Sequence, residues 1–197
     1  MGFRKSVARL LLGRRRADAL SLARILRSPD RAVLLERYMP PVASAAGRIL
    51  WVGCKPYTAD YSARLQGGGG EVWTTDIDPA AEQWGAAGRH RTGDIREADR
   101  LFAGQIFDAI LCNGVLGFGV DTRSDQARTL DALAAILRPG GLLLLGWNTD
   151  RIADPIAAGL TAGLYEPAPL DGQPARFAVP GVTHVYDTLR RRPLPGA

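Results

Sequence analysis

Apolar residues recur along this chain in two rhythms. Short apolar runs that end in glycine or polar residues read as strands: Arg48-Ile49-Leu50-Trp51-Val52-Gly53, Glu71-Val72-Trp73-Thr74-Thr75-Asp76, a short one at His90 to Thr92, Ile106 to Cys112, and Leu142 to Trp147. Longer stretches between them have helical spacing. Leu130, Leu133, Ala134 and Leu137 fall at i, i+3, i+4 and i+7, which predicts an amphipathic helix over 123–137, ended by Pro139-Gly140-Gly141. Tyr57 to Leu65 reads as helix with Thr58 as N-cap, and Pro79 sits at a favoured early helical position behind Asp78. Before the first strand, Leu20, Leu22, Ile25 and Leu26, then Val33, Leu34 and Met39, give a helical preface over 17–45, broken at Ser28-Pro29-Asp30 and stopped by Pro40-Pro41. After the fifth strand the pattern predicts a helix near 151–163 and strands near 175–179 and 183–190.

Strands alternating with helices predict an α/β fold with a mostly parallel sheet covered on both faces. Ligands of such sheets bind outside the carboxyl ends of the strands. The informative residues are therefore those at 53–58, 76–78, 94–95, 113–117 and 147–148.

Composition changes this picture little. A chain of 197 residues with 46% hydrophobic content suits one domain. The net charge is +5, but Arg4, Lys5, Arg9, Arg14, Arg15 and Arg16 stand in the first sixteen residues without an acid. Subtracting those six leaves −1, so the body is not a basic nucleic-acid surface. The basic arm reads as a solvated, partly frayed helix, or as a contact for a membrane or acidic partner. No apolar run reaches 18 residues, which argues against stable membrane insertion. Cys54 and Cys112 make no disulfide framework, so a cytoplasmic protein is expected, and the Ala/Arg/Gly-rich composition looks bacterial. The two histidines show no zinc spacing, so no metal is expected.

Gly53 ends the first strand and Asp76 ends the second, 23 residues later. That spacing suits a nucleoside, with its ribose hydroxyls on the carboxylate. The alternative for an aspartate here is a helix cap, which Asp78 fits better. Gly93-Asp94-Ile95 closes the third strand; Asp94 can accept an adenine amine with Ile95 against the ring, or cap the turn at Arg96. Asn113-Gly114-Val115-Leu116-Gly117-Phe118-Gly119 follows the fourth strand and lets backbone approach a ligand closely.

Leu137-Arg138-Pro139-Gly140-Gly141-Leu142-Leu143-Leu144, with Ile49 to Thr58, Val72 to Pro79, Gly93 to Ile95 and Phe107 to Leu116 in the same order, resembles the class I S-adenosylmethionine-dependent methyltransferases over about residues 45–148. The resemblance implies a Rossmann-like, seven-stranded sheet with the final strand antiparallel. It divides the chain into a helical extension at 1–45 and a cofactor-binding domain at 46–192. The implied cofactor is S-adenosylmethionine, with S-adenosylhomocysteine as product. Its contacts are Gly53, Cys54, Tyr57, Thr58, Asp76, Ile77, Asp94, Ile95, Asn113 and Gly114. The first loop departs from the family pattern: Trp51 stands at the usual acidic position, and Lys55 and Tyr57 replace the later glycines. Tyr57 or Thr58 by hydroxyl, or Lys55 by charge, then suits the methionine carboxylate.

The implied activity is methyl transfer to a small molecule or a carrier-bound metabolite, on oxygen or nitrogen, without nucleic acid. Another use of the same cofactor, such as cyclisation, and a non-catalytic binding protein on the same fold are the alternatives. An NAD dehydrogenase ranks below them because the first loop lacks Gly-x-Gly-x-x-Gly. Trp147, Asn148 and Tyr186 are candidates for holding the acceptor. His184 is the candidate base, with Asn113 beside it as a second catalytic candidate.

Overall fold

The computed structural model describes residue 23 and residues 25–193. The basic arm, Leu20 and Leu22 lie outside these. The first described elements are α1 (Pro29–Val33), one wide π turn (Leu34–Tyr38) and α2 (Met39–Ala45). Pro40-Pro41 therefore does not stop the preface. It occupies the first positions of α2, where a missing N–H costs nothing.

Five parallel strands follow: β1 (Arg48–Val52), β2 (Glu71–Asp76), β3 (His90–Thr92), β4 (Phe107–Asn113) and β5 (Leu137–Asn148). Two short strands and a longer one follow: β6 (Tyr165–Pro167), β7 (Arg176–Ala178) and β8 (His184–Arg191). The sheet order is β3-β2-β1-β4-β5-β8-β6, with β7 also on β8. β8 runs antiparallel to β5, as expected for the last strand. The count is eight rather than seven, because β6 and β7 share one edge of β8 in succession.

Alternating side chains of the central strands feed two cores. Leu50, Val52, Ile110, Cys112 and Leu143 pack on one face with α4 (Ala98–Leu101) and α5 (Arg123–Ile136). Ile49, Trp51, Leu111 and Leu144 pack on the other with Leu34, Tyr38 and Tyr61. Each fully buried leucine contributes roughly 1.5–3 kcal/mol. Thr122 caps α5, its Oγ1 accepting the Asp125 N–H at 3.1 Å. Cys54 belongs to the second core and Cys112 to the first, so the two thiols lie on opposite faces. Burial pushes them up, to about 11 and about 12, and keeps them inert packing groups.

Three expected helices are shorter or absent. Residues 57–65 form a 3₁₀ turn (Pro56–Thr58) and then α3 (Tyr61–Gln66). Thr58 is not an N-cap of that helix; its hydroxyl closes the turn on Lys55, accepting the N–H at 2.9 Å. Pro79 opens a 3₁₀ segment (Pro79–Trp84) that Asp78 caps through the Ala80 N–H. Residues 151–163 make successive turns and no helix, because Gly159 and Gly163 adopt left-handed backbone (φ 76° and 81°). Among the described residues no helix is long and apolar enough to cross a membrane.

Candidate active site

The carboxyl ends of β1, β2, β4 and β5 surround two adjoining cavities, of about 220 Å³ and about 600 Å³. They share Gly53, Lys55, Tyr57, Gly114 and Phe118. The smaller one lies among Asp76, Ile77, Asp94, Ile95 and Val115. The larger opens between Arg31, Thr58, Asn113, Asn148 and His184.

The first loop is held from three sides. Gly53 takes φ 90°, a conformation that favours glycine. The Trp51 indole N–H donates to the Gly53 carbonyl at 2.5 Å. Asp76, almost fully buried, accepts the Cys54 N–H at 2.8 Å on one oxygen and the Asp78 N–H at 2.9 Å on the other. Lys55 Nζ lies 3.4 Å from the same carboxylate. Each carboxylate oxygen accepts more than one hydrogen bond, so Asp76 retains capacity toward the cavity while tying β2 to the loop.

Ile77 is 66% exposed, and it lines the smaller cavity opposite Ile95 and Val115. An exposed isoleucine beside a cavity suits a flat apolar ring. Asp94 lines the same cavity but also caps the turn, accepting the Arg96 N–H at 2.9 Å and a two-pronged guanidinium contact. Arg96 continues to Asp125 at 3.0 Å. The Arg96 hydrogen bonds hold the Asp94 carboxyl below its ordinary value. Of the two roles foreseen for Asp94 the structure contains the cap, and Arg96 occupies its oxygens at the cavity edge.

The larger cavity is built around His184. Asn148 donates from Nδ2 to Thr183 Oγ1 at 3.0 Å, which turns its Oδ1 toward His184 Nδ1, 3.1 Å away. That arrangement assigns the imidazole proton to Nδ1 and leaves a lone pair on Nε2. Burial holds His184 down at about 4, against an ordinary 6.5, so the ring is neutral. His184 Nε2 and Asn113 Oδ1 are both buried without a hydrogen-bond partner. A Cβ on Gly146 would fall 1.9 Å from Asn113 Oδ1 and 2.9 Å from His184 Nε2. The glycine makes room for two convergent side chains, and a glycine inside a strand is the sequence signal for such a close approach.

Three expected contacts are corrected. Trp147 is buried and lines neither cavity; its indole N–H donates at 2.8 Å to Asp187, a fully buried carboxylate that Arg176 also holds at 2.7 Å. Tyr186 shares a face with His184, their rings 4.5 Å apart, but is wholly buried and donates to the Asp30 carbonyl at 3.0 Å. Cys54 turns its side chain into the core and serves the loop through its N–H alone. Tyr57 and Thr58 line the larger cavity, as does Asn148, whose principal bonds orient His184. Sequence reasoning missed Asp30 and Arg31, which reach the larger cavity from α1 and belong to no motif.

Residues 50–145 match a family model described as a methyltransferase domain. A ubiquinone/menaquinone biosynthesis C-methyltransferase from Bordetella parapertussis is 28% identical over 140 residues, which is 66% of this chain and 51% of the relative. The corresponding Bordetella avium protein is 26% identical over 140 residues, covering 66% and 52%. The chain thus spans about half the length of these curated relatives. Among solved structures, the N-methyltransferase NodS from Bradyrhizobium japonicum bound to S-adenosylhomocysteine superposes with a TM-score of 0.60 at 17% identity, over 89% of this chain and 98% of that one. The 1,6-didemethyltoxoflavin N1-methyltransferase of Burkholderia thailandensis gives 0.56 at 19%, over 91% and 90%. At these identities the structural likeness speaks for the fold.

Proposed function

We propose that the chain is a class I S-adenosylmethionine-dependent methyltransferase and that it methylates a small molecule, or a carrier-bound metabolite, on oxygen or nitrogen. The observation that carries this reading is the pair of buried, unpartnered acceptors, His184 Nε2 and Asn113 Oδ1, on two residues that line the larger cavity.

The residues fit the cofactor. Asp76 would take the ribose hydroxyls, Ile77 and Ile95 would sandwich the adenine, and Asp94 would accept its amine. Gly53 and Gly114 border the passage between the cavities, and Lys55, Tyr57 and Thr58 lie where the methionine end would emerge. When bound, S-adenosylmethionine supplies an electrophilic methyl group on a sulfonium. The protein's part is to orient the acceptor and exclude water. Asn113 Oδ1 would accept one hydrogen of the acceptor group. His184 Nε2 would accept the proton that an N–H or O–H must lose, with Asn148 keeping the lone pair aimed. Two acceptor atoms side by side suit a hydrogen-bearing heteroatom better than a carbon, which separates this proposal from the C-methylation named for the Bordetella relatives.

Calorimetric titration with S-adenosylhomocysteine tests the first step, and absence of binding at millimolar concentration overturns the reading. Mass spectrometry of the products tests the second. S-adenosylhomocysteine together with an acceptor 14 mass units heavier is expected for methyl transfer (about 14 for replacing H by CH₃). A cyclised product, or binding without turnover of any co-purified acceptor, would assign the alternatives.

A further inference from the structure

The first loop has a tryptophan, Trp51, at the position where its family usually carries an acid, and the indole N–H is spent on the Gly53 carbonyl. Indole nitrogen is a donor only, so it gives an ammonium group nothing to bind. The charged group this loop adds at the junction of the two cavities is a cation, Lys55. A ligand with an α-amino acid end therefore finds no carboxylate on the loop for its ammonium.

An acid and a second cation arrive from elsewhere in the chain. Asp30 and Arg31, adjacent in α1, line the larger cavity beside Lys55 and Tyr57. The Arg31 guanidinium lies 4.0 Å over the Tyr57 ring, and its Nη1 donates to Tyr61 at 2.6 Å. Its Nε is buried with no hydrogen-bond partner. Among the described residues Arg31 makes no ion pair with a carboxylate. Asp30 is fixed through its carbonyl by Tyr186, and Ser28 donates to one oxygen of its carboxylate. Tyr57 and Tyr61 thus hold an unpaired guanidinium at the cavity wall, while Tyr186 fixes the backbone and Ser28 the carboxylate of the adjacent Asp30. Neither residue falls within 50–145, the range matched by the methyltransferase domain.

We propose that Asp30 and Arg31 form the binding site for the α-amino acid end of the cofactor, Arg31 with Lys55 taking its carboxylate and Asp30 its ammonium. This rests on the cofactor reading given above. The helical segment before β1 is then part of the cofactor site, supplying what the altered loop lost. The site discriminates the complete cofactor from nucleosides that lack the amino acid. Tyr57, which lies under Arg31, is among the residues shared by the two cavities, which favours the cofactor over an amino-acid acceptor as the zwitterion held here.

The test compares two ligands on the full chain by calorimetry: S-adenosylhomocysteine, and 5′-methylthioadenosine, which keeps the nucleoside and lacks the amino acid. Arg31→Gln should weaken the first by about 10- to 100-fold, the size of a lost charge-assisted contact, and leave the second within about twofold. Asp30→Asn should act in the same direction, and Arg31→Lys should recover part of the loss. Unchanged S-adenosylhomocysteine affinity in Arg31→Gln would overturn the proposal, as would equal weakening of both ligands, which marks a disturbed fold. A wild-type chain that binds both ligands equally would also overturn it while leaving the cofactor reading intact. A wild-type chain that binds neither would overturn both.

Discussion

Asn148 Oδ1 stands 3.1 Å from His184 Nδ1, and the strand pairing sets these two residues directly opposite each other on β5 and β8. The amide decides which nitrogen of the histidine keeps a free lone pair. His184→Gln should lower turnover by about 10²- to 10⁴-fold, the range of a lost general base. Asn148→Ala, which frees the tautomer, should cost less, and neither should change S-adenosylhomocysteine affinity by more than about twofold. Single-turnover rates beside calorimetry check both; a cofactor affinity that falls with turnover would put His184 in the cofactor site instead.

The same histidine makes a prediction for pH. Its folded value, about 4, lies below its ordinary 6.5, chiefly through burial. Lowered in this direction, it contributes stability fully present above pH 6.5 and lost as pH falls through about 4, with a total of about 3 kcal/mol. Urea midpoints should therefore decline between pH 6.5 and 4 in the wild type, and the decline should be shallower in His184→Gln. Parallel profiles would mean that the imidazole is solvated.

Gly146→Ala is the smallest change that reaches both acceptor atoms. Its methyl would meet Asn113 Oδ1 and His184 Nε2, and neither can withdraw without leaving its place. Turnover should drop by at least about 100-fold, with S-adenosylhomocysteine affinity nearly unchanged, because a misplacement near 1 Å carries a cost of that order. Retained turnover would show that the two side chains are free to rearrange.

Asp76→Ala should weaken S-adenosylhomocysteine by roughly 10- to 100-fold. The carboxylate also accepts the Cys54 and Asp78 N–H groups, so the variant should lose about 1–3 kcal/mol of stability as well. Denaturation and calorimetry on one preparation separate the two effects. Full stability combined with unchanged affinity would move the ribose contact elsewhere.

Much of this was legible in the sequence, and the part that was not has a common cause. Gly53, Asp76 and Asp94 stand at or just beyond strand ends, and strand ends are set by local signals and by the topology those signals imply. Trp147 and Tyr186 follow from the same alternation, which gives a side chain's face correctly. Alternation does not say whether that face meets a cavity or a second layer of packing. Here Asp187 covers Trp147, and α1 covers Tyr186. Arg31 left no signal, because its importance comes from the rings beneath it rather than from its neighbours in sequence. Pro40-Pro41 misled because a proline pair reads equally as the end of one helix or the start of the next.

The hydrogen bond from Tyr186 to the Asp30 carbonyl spans 156 positions of chain. A ribosome making this protein delivers the residues of the smaller cavity with β1 to β4, long before it reaches β8. Until that strand slides in beside β5, the wall that presents His184 does not exist and α1 has no tyrosine to rest on. The larger cavity is therefore completed only once β8 has paired with β5, well after the residues of the smaller cavity have been made.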